Sequence, residues 1–123
     1  MLSGYVKSSY LNIIDASKTT ELTLVELNEG TNFRLLGIQF IPAEWGPRLR
    51  SGFILRSSLG GDAFFEDELY GGTFPGNAQT ESFHSISVIP IPTHGVFASE
   101  TSGVTVQGTG AGINFVSVTY QTG

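Results

Sequence analysis

The feature that most limits the fold of this 123-residue chain is the absence of a helical period. No window of eleven or more residues sustains an apolar stripe at 3.6-residue spacing free of Gly or Pro. Instead, short runs rich in Val, Ile, Phe and Thr alternate with clusters of Gly, Pro, Asn and Ser. This is the pattern of strands separated by turns. The runs are Tyr10–Asp15, Glu21–Leu27, Phe33–Ile41, Gly52–Arg56, a weak one at Ala63–Phe65, then Phe83–Ile89, Val96–Ser99, Val104–Gln107 and Ile113–Tyr120. Asn28-Glu29-Gly30 closes the second run with turn chemistry. In the fourth-quarter strand Val116, Val118 and Tyr120 alternate with Ser117 and Thr119, one face apolar and one polar. In Phe33–Ile41 the alternation puts Leu36, Ile38 and Phe40 on one face and Leu35, Gly37, Gln39 and Ile41 on the other. Strands this short and numerous, without crossover helices, predict an all-β antiparallel sandwich, with an eight-stranded jelly roll as the leading topology.

Size and composition fit one β-sandwich domain spanning residues 1–123. The chain has nine Phe for core material, and no linker, repeat or low-complexity tract divides it. With no Cys, disulfide scaffolds, Cys-ligated metals and thiol nucleophiles are excluded. Residues 1–56 hold all six bases and five acids, whereas residues 57–123 hold six acids and no base. A net charge of −5 with no basic stripe argues against nucleic acid and against anionic membrane surfaces as partners. No apolar run approaches the roughly 20 residues of a membrane span, the start lacks signal-peptide character, and no Asn begins a glycosylation sequon. The expectation is a protein made in the cytoplasm, with a protein or neutral glycan as partner.

The segments that resemble chemical motifs each have a plainer reading. Gly108-Thr109-Gly110-Ala111-Gly112 has the glycines of a phosphate loop but precedes a strand instead of a helix, so it reads as a hairpin turn. Asp62, Glu66, Asp67 and Glu68 match no calcium-loop spacing. They read as a solvated acidic loop within 57–81 whose Phe64, Phe65, Leu69 and Tyr70 pack on the fold or on another subunit. Aromatic anchors beside selective charges make that loop a candidate contact surface. Trp45, in the turn Pro42–Pro47 and followed by Arg48 and Arg50, either anchors an interface or caps an open end of the sandwich; both readings stand. Trp45 and Tyr70 are also the aromatic candidates for stacking on a sugar. His84 and His94 have no motif-spaced partner, and no catalytic, cofactor or metal motif is present. The expectation is a non-enzymatic protein whose candidate partner-binding residues are Trp45, Arg48, Arg50, Phe64, Phe65 and Tyr70.

Two stretches resemble a known class. Tyr10-Leu11-Asn12-Ile13-Ile14, then Thr19–Leu27, Gly30 and Phe33-Arg34-Leu35-Leu36-Gly37-Ile38, is similar to the opening of small bacteriophage virion proteins of the jelly-roll decoration or cement type. Ile89-Pro90-Ile91-Pro92-Thr93-His94-Gly95-Val96-Phe97, Gly103-Val104-Thr105-Val106, the Gly-Thr-Gly turn and Val116–Tyr120 are similar to the end of the same class. The acidic 57–81 segment has no counterpart in that pattern. The resemblance implies a virion protein on the capsid exterior, assembled in the host cytoplasm, which binds the major capsid protein and needs no cofactor. A homotrimer suits threefold positions of a shell. A lectin-like glycan-binding module, or a head-fibre or tail component, is the alternative. The charge split adds an expectation that Arg34, Arg48, Arg50 and Arg56 meet an acidic neighbour.

Overall fold

A computed structural model describes residues 5–44, 50–70 and 87–123. The described residues are almost entirely strand: β1 (Lys7–Asn12), β2 (Glu21–Pro42), β3 (Arg50–Ser57), β4 (Ala63–Tyr70), β5 (Ser87–Ile89), β6 (Val96–Gly110) and β7 (Ile113–Thr122), with one 3₁₀ turn at Asp15–Thr19. All pairings are antiparallel, in the order β1-β7-β2-β6-β3-β4, and β5 pairs with β2 beside β6. The all-β antiparallel expectation therefore holds. Among the described residues the seven strands form one hydrogen-bonded sheet.

Two long strands make the single sheet into two layers. Phe53 of β3 lies opposite Gly108 of β6, and Gln107 lies opposite Glu21 of β2, so Phe53 sits level with the very start of β2. Phe40 is some twenty residues further along β2, roughly 65 Å away if that strand ran straight at about 3.3 Å per residue. The Phe40 and Phe53 rings are nevertheless 5.4 Å apart. The sheet must therefore fold back on itself. The fold lies where the β2–β6 register breaks, between Glu26 and Phe33 on one strand and Ala98 and Gly103 on the other. Gly30 and Glu100 take the left-handed conformation there, with φ of 82° and 50°. Asn32 Oδ1 accepts the Glu100 backbone N–H at 3.0 Å, and the Thr101 hydroxyl accepts that of Gly103 at 3.1 Å. Side chains thus satisfy backbone groups that the broken ladder leaves open. Asn28-Glu29-Gly30 is a corner inside one strand, not the end of one.

The core is one cluster between the layers, built on Phe33, Leu35, Ile38, Phe40, Phe53, Leu55, Val104, Val106, Ile113, Val116 and Val118. Two aromatic chains cross it. Phe33 stacks on Tyr120 at 5.1 Å and meets Phe64 edge-on at 5.9 Å, while Phe53 joins Phe40 to Phe65. Simple alternation would send Phe64 and Phe65 to opposite faces. A bulge turns both toward the core, for Leu55 opposes Phe65 while the next residue, Arg56, opposes Ala63. A second bulge in β2, between Leu35 and Gly37, corrects the sequence expectation for that strand. Phe33 and Leu35 face inward before it and Ile38 and Phe40 after it, and Leu36 is left outside the buried set.

At the end opposite the fold, β6 passes into β7 through a turn closed by the Gly112 N–H on the Thr109 carbonyl at 3.0 Å. This corrects the hairpin expectation: the second half of β6 lies in the other layer from β7, and the two strands do not pair with each other. The 3₁₀ turn lies across this junction. A Cβ at Gly108 would stand 1.9 Å from the Lys18 carbonyl oxygen, so a residue without a side chain is required where the turn crosses the strand.

Candidate interaction surfaces

The outer face of the layer formed by the first half of β2, the second half of β6, β3 and β4 is polar and internally bonded. Glu21 Oε2 accepts the Thr105 hydroxyl and, at 2.9 Å, the Gly60 backbone N–H. The Thr105 hydrogen bond, then that of Gly60, outweigh desolvation and hold the Glu21 carboxyl below its ordinary value, with a smaller contribution from Arg56. Arg56 donates to Gln107 Oε1 across the strands, and Arg50 Nη1 donates to Glu68 Oε1 at 3.2 Å. Beyond them lies a groove of about 460 Å³ lined by Ile54, Glu66, Asp67, Glu68 and Thr109. A carboxylate kept ionised by two donors is a poor proton donor near neutral pH. Among the described residues no three His, Cys, Asp or Glu side chains gather as a metal site.

The outer face of the other layer is nearly free of charge. Ser8, Gly37, Gln39, Val88, Ser117 and Thr119 line a groove of about 520 Å³. Tyr10 of β1 leans on Phe115 of β7 with ring centroids 6.1 Å apart, and the Arg34 guanidinium lies over the Phe97 ring at 5.7 Å. At the margin, Tyr5, Val6, Tyr10 and Ile14 are 86%, 57%, 64% and 69% exposed, all on β1 or beside it. Among the described residues β1 and β4 end the main strand order, and β5 is a further edge strand paired with β2 alone. Ser9 of β1 donates its hydroxyl to the Leu24 carbonyl at 2.7 Å, which tethers this edge to the start of β2 in the facing layer.

Of the residues expected to bind a partner, Trp45 and Arg48 lie outside the described residues, as does the Tyr70 side chain. Arg50 is exposed at the start of β3 and is paired within the chain to Glu68. Phe64 and Phe65 are half-buried against the core. The acidic segment expected as a loop contains a regular strand, β4, with Glu66, Asp67 and Glu68 exposed along the sheet edge. Carboxylates there keep edges from pairing indiscriminately, which accounts for their position without a metal. The described arginines of the basic half have partners inside the chain: Phe97 for Arg34, Glu68 for Arg50 and Gln107 for Arg56. His94 is exposed in the turn before β6, and His84 lies outside the described residues. The sequence reading missed the outward aromatic Tyr10. Its signal was phase, since Leu11 and Ile13 claim the core side of β1 and leave Tyr10 on the other.

Fold and surfaces together define an antiparallel all-β protein with a folded single sheet, one charged outer face, one neutral outer face and two differently charged edges. No family model, curated protein or solved structure matches the chain.

Proposed function

We propose that this chain is a non-enzymatic structural subunit of a bacteriophage virion, a decoration or cement protein that binds the major capsid protein on the shell exterior as a homotrimer. The observation that carries this reading is the collection of exposed apolar side chains on and beside β1: Tyr5, Val6, Tyr10 and Ile14. Large apolar groups gathered on one margin, away from the paired charges of the opposite layer, suit adhesion to another protein surface. The resemblance of the strand-and-turn pattern to phage decoration proteins supplies the partner. Each contact on a shell is modest, and repetition around an oligomer makes attachment persistent.

The test is co-sedimentation of the purified protein with capsid shells. Saturable binding that is weakened by Tyr10→Ser combined with Val6→Ser supports the reading, and shells that pellet without the protein refute it. A neutral glycan is the second reading, favoured by the uncharged groove between β5 and β7. Titration with a polysaccharide panel, read by Trp45 fluorescence, separates it from the first.

A further inference from the structure

Building on the reading above, we propose that copies of this chain join edge to edge, with β1 of one copy adding antiparallel to β4 of the next and closing a ring of three. Among the described residues β1 pairs with β7 alone and β4 with β3 alone, so each has a side to which a further strand can add. The occupant follows from charge. β1 carries Lys7 and no acid, whereas β4 carries Glu66, Asp67 and Glu68 and no base. Pairing β4 with its own copy would set three carboxylates against three; pairing it with β1 sets a cation against them. Arg50 engages Glu68, and Asp67 Oδ1 accepts the Glu68 backbone N–H at 2.7 Å, so an incoming cation meets carboxylates already held in place along the edge.

Face matching fixes which residues share a side, and setting Lys7 against Asp67 selects the register. Lys7, Ser9 and Leu11 lie opposite Tyr120, Val118 and Val116, which are buried, so they occupy the core side of their layer. Asp67 and Phe65 oppose Phe53 and Leu55, also buried, and occupy the core side of theirs. Antiparallel addition with Lys7 facing Asp67 then sets Ser9 beside Phe65 on the core side, and Ser8 beside Glu66 on the outer side. A contact between two different edges is head-to-tail, and such contacts close into rings when the rotation allows.

The chain contains no Cys, so a directed cross-link reads this geometry without background. The combined Ser8→Cys and Glu66→Cys variant, oxidised at micromolar concentration, is expected to give covalent species ending at three copies, and either single variant is expected to stay uncross-linked. Lys7→Glu or Asp67→Lys alone should each raise the dissociation constant about tenfold, and the two together should restore association. Circular dichroism of each variant checks that these exposed positions leave the fold intact. A double-cysteine protein that stays monomeric, a dimer from Ser8→Cys alone, or charge variants that fail to rescue each other would overturn the proposal. Shell binding that survives in a protein unable to form the ring would refute the ring and spare the decoration reading. Covalent rings without shell affinity would do the reverse.

Discussion

If the sheet folds back on itself, Phe40 and Phe53 must be energetically coupled although β6 separates their strands in the sheet and some twenty residues of β2 separate their levels. Their rings meet edge to face at 5.4 Å and 62° and both are fully buried. Replacing either with Leu removes part of a ring and leaves a small void, a loss of roughly 1 to 1.5 kcal/mol from transfer and cavity terms. An aromatic pair in this arrangement contributes about 0.5–1.5 kcal/mol beyond its buried area. The double variant should therefore lose less than the sum of the single losses by about that amount. A domain of this size has on the order of 5–15 kcal/mol of stability, so all four proteins stay folded and comparable. Urea unfolding, followed by circular dichroism with a common slope, measures the cycle. Additivity within about 0.3 kcal/mol would mean that the rings do not touch, and the folded-sheet geometry would be wrong.

Gly108→Ala should cost about 1–3 kcal/mol in chemical denaturation, because the new methyl meets the Lys18 carbonyl and must push the 3₁₀ turn off the sheet; an unchanged midpoint would show that the turn does not lie there. Glu21 has its folded-state pKa lowered by Thr105 and Gly60, so its stabilisation is present above the ordinary carboxylate value of 4.5 and fades as pH falls through the lower folded value. Glu21→Gln should accordingly flatten the decline in stability on acidification, and a slope identical to wild type would refute the assigned bonds. Ser9→Ala, which removes the tether from β1 to the Leu24 carbonyl, should cost about 1 kcal/mol in thermal or urea unfolding. Arg50→Ala should change stability by less than about 1 kcal/mol, since its ion pair with Glu68 is solvent-exposed; a larger loss in the same assay would point to a structural role.

Strand character was legible from the sequence because it depends on local chemistry. Val116, Val118 and Tyr120 alternate in a run that needs only one buried face, and their burial follows that alternation. β-branched and aromatic composition likewise marked β3, the two halves of β2 and the two halves of β6. The candidate surface was less legible: the Ser57–Glu81 segment stood out for its charge and aromatics and showed a weak strand run at Ala63–Phe65, yet neither the extension of that strand to Tyr70 nor its place on the sheet edge could be read from the residues alone.

What the tertiary structure decided is where alternation breaks and what lies across each break. Asn28-Glu29-Gly30 has turn chemistry, but β2 continues through it because β6 bends alongside and Asn32 meets the Glu100 N–H, a partner 68 residues away. Leu36 loses its place on the buried face, and Phe64 joins Phe65 there, because one extra residue in a ladder rephases every side chain beyond it. Local propensity acts on a residue and its near neighbours. Register and bulges are set by pairing between distant strands, and the layers exist because Phe40 reaches Phe53 across a fold that neither strand encodes by itself.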